Sequence, residues 1–224
     1  MSIFDYILAV LPGLPVSLSL TFTALITAFL LSVLFTLVLS LKPRVITPLV
    51  KGYITLFTGT PLLVQFFLIY FGPAQFEGLK NYPLLWELMS SPWLCAMVTL
   101  ALNSAAYSTL LFYGAVKAIP PGQWQSCQAL GMSQKQTMRI ILPYAFKRAL
   151  SSYSNEVVLI FKSTSLATTI SLLEVMGYSR RLFGQDYDLN VFIAAGIIYL
   201  AVNSLLTLAM RLIERRALAF EHRN

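Results

Sequence analysis

The sequence predicts an all-α membrane protein with five transmembrane helices, and three observations carry that prediction. Of 224 residues, 57% are hydrophobic and 11% charged, with a mean hydropathy of +0.72. A soluble domain carries about a quarter charged residues. Charge is absent from four long stretches, 6–41, 52–76, 88–116 and 189–210. Each is long enough for the roughly 20 residues that a membrane-spanning helix needs. The remaining charge is sorted by side, with basic residues gathered on one face of the membrane.

The first span is read at 16–41. The first charge is Asp5, whereas a cleaved leader opens with positive residues, so the run is retained. Lys42, Arg44 and Lys51 follow it, which places the N-terminus outside and the next loop in the cytoplasm. The second span, 54–75, contains Gly59-Thr60-Pro61, which predicts a local break or kink. Trp86 and Trp93, near Pro83 and Pro92, mark an outer interface. The third span runs over 92–116. The fourth, 149–172, is apolar apart from Glu156 and Lys162, and the fifth covers 190–212. With this threading the inner segments hold twelve Lys and Arg against Glu214 and Glu221. The outer segments hold Lys80, Arg180 and Arg181 against six acids, Glu174 among them. The C-terminus is cytoplasmic, and residues 1–224 form one membrane domain. The spans are helices because lipid leaves no other way to pair backbone groups, and the runs are too long for barrel strands.

Composition also removes several chemistries. Cys95, Cys127 and the single His222 cannot build a Cys/His metal cluster or a nucleophile–histidine pair. There is no Gly-x-x-x-x-Gly-Lys-Ser/Thr loop, so no ATP chemistry is expected in this chain. The basic balance matches anionic headgroups, and no basic patch interleaved with aromatics suggests nucleic acid.

Residues 117–148 do not belong in lipid. Pro120-Pro121-Gly122 breaks the preceding helix. Trp124, Cys127 and Leu130 then give a short helix an apolar face, with Met132 just beyond. Gly131 is placed to end it, and Ser133 with Gln136 has the spacing of a capping box. A second short helix carrying Met138, Ile141 and Leu142 is expected to stop at Pro143. Such an elbow either lies on the membrane surface or docks a cytoplasmic partner.

The run Trp124-Gln125-Ser126-Cys127-Gln128-Ala129-Leu130-Gly131-Met132-Ser133, ending in Leu142-Pro143, resembles the coupling motif of ABC importer permeases of the polar amino acid type. Gly59-Thr60-Pro61-Leu62-Leu63-Val64-Gln65, Asn103-Ser104-Ala105-Ala106-Tyr107, and Asn155-Glu156 followed by Lys162-Ser163-Thr164-Ser165-Leu166 agree with it, in order, over nearly the whole chain. Within that family the likeness is greatest to arginine permeases, then to those for histidine, lysine and ornithine. Three departures stand out. Gln125-Ser126-Cys127 replaces the usual Glu-Ala-Ala, Ser108 follows Tyr107 where an acid is frequent, and Ser163 replaces a frequent Asp.

The resemblance implies a permease subunit in the bacterial inner (cytoplasmic) membrane, paired with a second permease, most simply as a heterodimer. Two ATP-binding subunits would carry ATP and Mg, a periplasmic solute-binding protein would deliver the substrate, and this chain would hold no cofactor. Residues 124–131 would contact the ATPase. An ionisable group inside a span suggests a functional site. Glu156 suits the counter-charge of a cationic side chain, and a planar guanidinium suits a carboxylate. By resemblance, Ser163, Asn103, Gln65, Thr60 and Tyr107 complete the substrate site. Structural alternatives exist: Glu156 paired with a partner subunit's lysine, Asn103 spent between helices, and a plain kink at Pro61. An ATP-independent carrier or channel subunit is the competing function, and it has no need of a docking elbow.

Overall fold

A computed structural model describes residues 2–218, so Glu221, His222 and Arg223 lie outside the described residues. Among them every regular element is helical. α1 (Ile3–Val10) and α2 (Leu14–Leu41) are joined by a 3₁₀ turn at Leu11–Gly13. α3 (Ile46–Gly59) and α4 (Leu62–Phe71) follow, then the short α5 (Pro83–Ser90) and the long α6 (Pro92–Lys117). α7 (Pro121–Ala129) leads into α8 (Gln134–Ser163), a 3₁₀ run over Thr164–Ile170, α9 (Val175–Asp186) and α10 (Asn190–Leu218).

Three helical stretches are long and apolar enough to cross a membrane, at Ile3–Leu41, Pro92–Lys117 and Asn190–Ala217. Two further pairs qualify only as bent units. α3 and α4 meet at 108°, and the α8 rod meets α9 at 48°. Large apolar side chains such as Ile26, Leu30, Leu200 and Leu208 face outward along α2 and α10. That arrangement is costly in water and ordinary in lipid.

α2 and α6 pack most extensively, and small side chains let them approach. Ala24 and Ala28 on α2 and Ala105 and Ala106 on α6 are all fully buried. Hydroxyls on these faces bond to their own helix, Thr21 to the Ser17 carbonyl at 2.7 Å and Thr109 to the Ala105 carbonyl at 2.6 Å. They are thereby buried without seeking partners elsewhere. A second apolar cluster, Val116, Ile119, Met138, Ile141, Leu142 and Ala145, closes the end where α6, α7 and α8 meet.

Two expectations change. Pro143 does not end a short helix but lies inside the thirty-residue α8. A proline there costs about 3 kcal/mol and one backbone bond. Burial of Met138, Ile141, Leu142 and Ala145 on both sides of it outweighs that cost. Leu130 does not join the apolar face of α7, because the chain turns at that C-cap and leaves the side chain 74% exposed. Glu174 is fully buried at the start of α9, where its carboxylate has four donors.

Candidate functional site

The break between α3 and α4 is the first feature that positions the site. Gly59 ends α3, and Thr60 and Pro61 are extended, with φ, ψ of −115°, 144° and −61°, 134°. Carbonyls at the end of α3 therefore lose their intrahelical partners. Gln65, one turn into α4, supplies them. Its Nε2 lies 2.9 Å from the Phe57 carbonyl, 3.1 Å from the Thr60 carbonyl and 2.9 Å from Thr60 Oγ1. Asn103 on α6 adds a donor to the Phe57 carbonyl at 3.2 Å and another to Gln65 Oε1 at 3.0 Å. Tyr107, one turn further, donates to the Thr58 carbonyl at 3.4 Å. Tyr53 ties α3 to α6 by donating to the Leu102 carbonyl. A helix broken inside lipid is tolerated only when its freed groups are paired in this way.

Beside this network lies a cavity of about 220 Å³. α6 lines it with Leu100, Asn103, Ser104 and Tyr107, and α8 with Glu156, Leu159, Ile160 and Ser163. Both sets follow i, i+3, i+4, i+7 spacing, so each is one continuous helical face. Leu62 closes the cavity from the start of α4. The apolar residues give it shape, and the polar ones converge from two helices.

Glu156 is the only charged side chain in this wall, and it is 8% exposed. The hydroxyl of Ser104 acts on it, and among the described residues no cationic side chain does. Lys162 is exposed on another face of α8. A buried carboxylate without a cation is costly, and it favours any cation that enters. Ser104 Oγ and Ser108 Oγ are buried with no hydrogen bond of good geometry. Ser104, which lines the cavity with the acid, is spare capacity there.

Of the six residues expected at a substrate site, the structure brings Glu156, Ser163, Asn103 and Tyr107 to the cavity. Thr60 and Gln65 stand behind Asn103, with their polar groups on the helix break. Ser104 also lines the cavity, although its small size suggests close packing alone. Its signal in the sequence is its place beside Asn103 in a polar step of an apolar helix.

The expected coupling segment forms a separate unit. α7 turns its Cys127 inward, and Trp124 packs on the cluster of Met138 and Ile141. Gln125, Ser126, Gln128 and Ala129 are exposed on its other face. Its C-terminus is a double-bonded cap: the Gly131 amide donates to the Gln128 carbonyl at 2.9 Å and the Met132 amide to the Cys127 carbonyl at 3.1 Å. Gly131 has φ +70°, the left-handed conformation that such a cap needs. Ser133 and Gln136 form the capping box of α8.

A family described as "Binding-protein-dependent transport system inner membrane component" matches residues 28–218. The chain is 67% identical over 221 residues to the arginine ABC transporter permease protein ArtM of Escherichia coli (strain K12), covering 99% of this chain and all of that protein. It is 53% identical to the protein of that name from Haemophilus influenzae, covering 97% of this chain and 96% of that one. Its fold is similar to a crystal structure described as an amino acid ABC transporter with histidines, with a TM-score of 0.82 and 26% identity, covering 95% of this chain and 96% of the other.

Proposed function

Because this chain belongs to the family of binding-protein-dependent transport system inner membrane components, we propose that it is the arginine-conducting permease subunit of an ATP-driven importer. It sits in the inner membrane and crosses it five times, each bent pair counting as one span, with the N-terminus outside. A second permease completes the pathway. Two ATP-binding subunits, loaded with ATP and Mg, bear on the exposed face of α7. A periplasmic solute-binding protein delivers the substrate, and the chain itself performs no catalysis.

One observation carries the substrate class: Glu156, buried in a polar-edged cavity with no cation beside it among the described residues. A guanidinium is planar and presents paired donors, so it satisfies both carboxylate oxygens at once. Ser104 from α6 and Ser163 from α8 line the same cavity and can take its remaining N–H groups. Asn103 and Tyr107 face the other end of the substrate. Their amide and hydroxyl are already bonded to the α3–α4 break. A substrate that recruits them therefore loosens the break, which links cavity occupancy to helix rearrangement. The identity to arginine permeases supports arginine over other cations.

The test compares arginine with citrulline, its uncharged isostere, in the purified complex without the binding protein. Arginine is expected to bind and citrulline to fail, and Glu156→Gln is expected to lose the difference. A hydrogen bond to a charged group contributes about 1.5–3 kcal/mol, so the arginine affinity is expected to fall at least tenfold. Equal binding of the two ligands by the unaltered protein refutes the assignment.

A further inference from the structure

Glu174 takes no part in the cavity, yet it is the most fully engaged carboxylate among the described residues. It is wholly buried. Its Oε1 accepts from the Gly177 amide at 2.8 Å, and its Oε2 from the Met176 amide at 2.9 Å, Tyr199 Oη at 2.8 Å and Ser17 Oγ at 3.4 Å. Those donors come from three elements, α9, α10 and α2. Ser17 Oγ also accepts from the Val175 amide at 3.4 Å. Gly13, in the turn before α2, sits so close that a Cβ there would lie 2.5 Å from the Glu174 carbonyl carbon. Only glycine fits at that contact.

This joint stands at the far end of the rod that carries Glu156 and Ser163. Ser163 is the last residue of α8, and the chain continues as seven residues of 3₁₀ helix to Ile170. Runs of that kind longer than three or four residues are uncommon and weakly bonded. Left alone, such a segment does not fix the direction of the helix before it. Two tethers around Glu174 do so. One is covalent, through Ser171 in the left-handed conformation and into α9. The other bypasses the 3₁₀ run: Tyr199 holds Glu174 with its hydroxyl, and its ring packs on Phe161, centroids 5.4 Å apart. Phe161 lies between Ile160 and Ser163, both in the cavity wall.

We propose that Glu174 is a positioning residue for the cavity. It pins the joint between the 3₁₀ run and α9 to α2 and α10, and through Tyr199 it sets where Ile160 and Ser163 stand. This rests on the reading of the cavity as the substrate site. A carboxylate is needed because four donors converge on two acceptor oxygens; an amide at this position turns two N–H groups toward donors.

The test reads the cavity wall directly. The assembled importer carries Ser163→Cys, with Cys127→Ser and Cys95→Ala to remove other thiols. The rate of modification by 2-aminoethyl methanethiosulfonate is measured, together with the arginine concentration that halves it. Glu174→Gln and Tyr199→Phe are each expected to shift the half-protecting concentration upward by roughly five- to tenfold, about one ordinary hydrogen bond, and to change the rate. Tyr6→Phe, which removes a different outer tether to Asp188, is expected to change neither. If Glu174→Gln assembles poorly, Tyr199→Phe decides, since it keeps the ring on Phe161. Unchanged rate and protection in Tyr199→Phe overturns the proposal, as does an equal shift in Tyr6→Phe. Absence of arginine protection with Glu174 and Tyr199 intact instead overturns the substrate reading, and the rates alone then judge the positioning role.

Discussion

Glu156 lines the cavity, whereas Gln65 Nε2 points at the α3–α4 break. Glu156 draws attention in the sequence because an acid in an apolar span is costly enough to need a reason. Gln65 was legible as important, but its task was not. The sequence marks a polar group in a span without saying whether substrate or backbone uses it. The three oxygens around Gln65 Nε2 settle where that group points. Gln65→Leu is therefore expected to leave the Thr60 carbonyl without its side-chain donor and the Phe57 carbonyl with Asn103 alone, at roughly 1–3 kcal/mol for a buried group so orphaned. Thermal unfolding of the purified complex should show the loss, and an unchanged midpoint contradicts it. The burial of Glu174 had no signal in the sequence, where it follows an apolar run and precedes a charged stretch. Its burial depends on Ser17 and Tyr199, distant in the chain.

At the scale of elements, α7 and α8 show where local rules hold and where packing overrides them. The caps held: Gly131 and the Ser133–Gln136 box stand where residue spacing placed them. Caps depend on a few neighbouring residues, so sequence suffices. Pro143 failed as a stop because the helix it interrupts is held by a cluster drawn from α6 and α8. Gly131→Pro is expected to abolish coupling. Proline fixes φ near −65° and has no N–H, while this position needs φ +70° and a donor to the Gln128 carbonyl. Substrate-stimulated ATP hydrolysis by the importer measures it, and undiminished stimulation refutes it. The N-terminal helix α1 is tied by Tyr6 Oη to Asp186 and Asp188. The Asn190 amide, helped by the Tyr6 hydroxyl against a smaller opposing effect of desolvation, holds the Asp188 carboxyl below its ordinary range. A depressed carboxyl stabilises the fold above its unfolded pKa of about 3.9 and loses that contribution as pH falls through the folded value. The protection factor of the Asn190 amide, the slowing of its exchange relative to an unfolded peptide at the same pH, should thus be high at neutral pH and fall on strong acidification in the unaltered protein. In Asp188→Asn, that fall with acid should disappear.

For the whole molecule, the charge asymmetry and apolar runs made the helical membrane fold readable before any coordinates. The bends were less readable. Gly59-Thr60-Pro61 announced a break, but its 108° angle follows from how Gln65 and Asn103 splint it. The 48° bend before α9 had no local signal, since Glu174 and Tyr199 meet only in the fold. Purification from native membranes in mild detergent should bring down an ATP-binding chain and a second permease, identified by mass spectrometry. This chain alone in an intact assembly would favour an ATP-independent carrier or channel. The central claim is that Glu156 balances the cation in transit, and ATP-driven arginine uptake into proteoliposomes containing the complete importer and its binding protein tests it most directly. With Glu156→Gln, uptake should fall at least tenfold while all subunits remain assembled and basal ATP hydrolysis persists. Uptake at the unaltered rate in that variant would contradict the account.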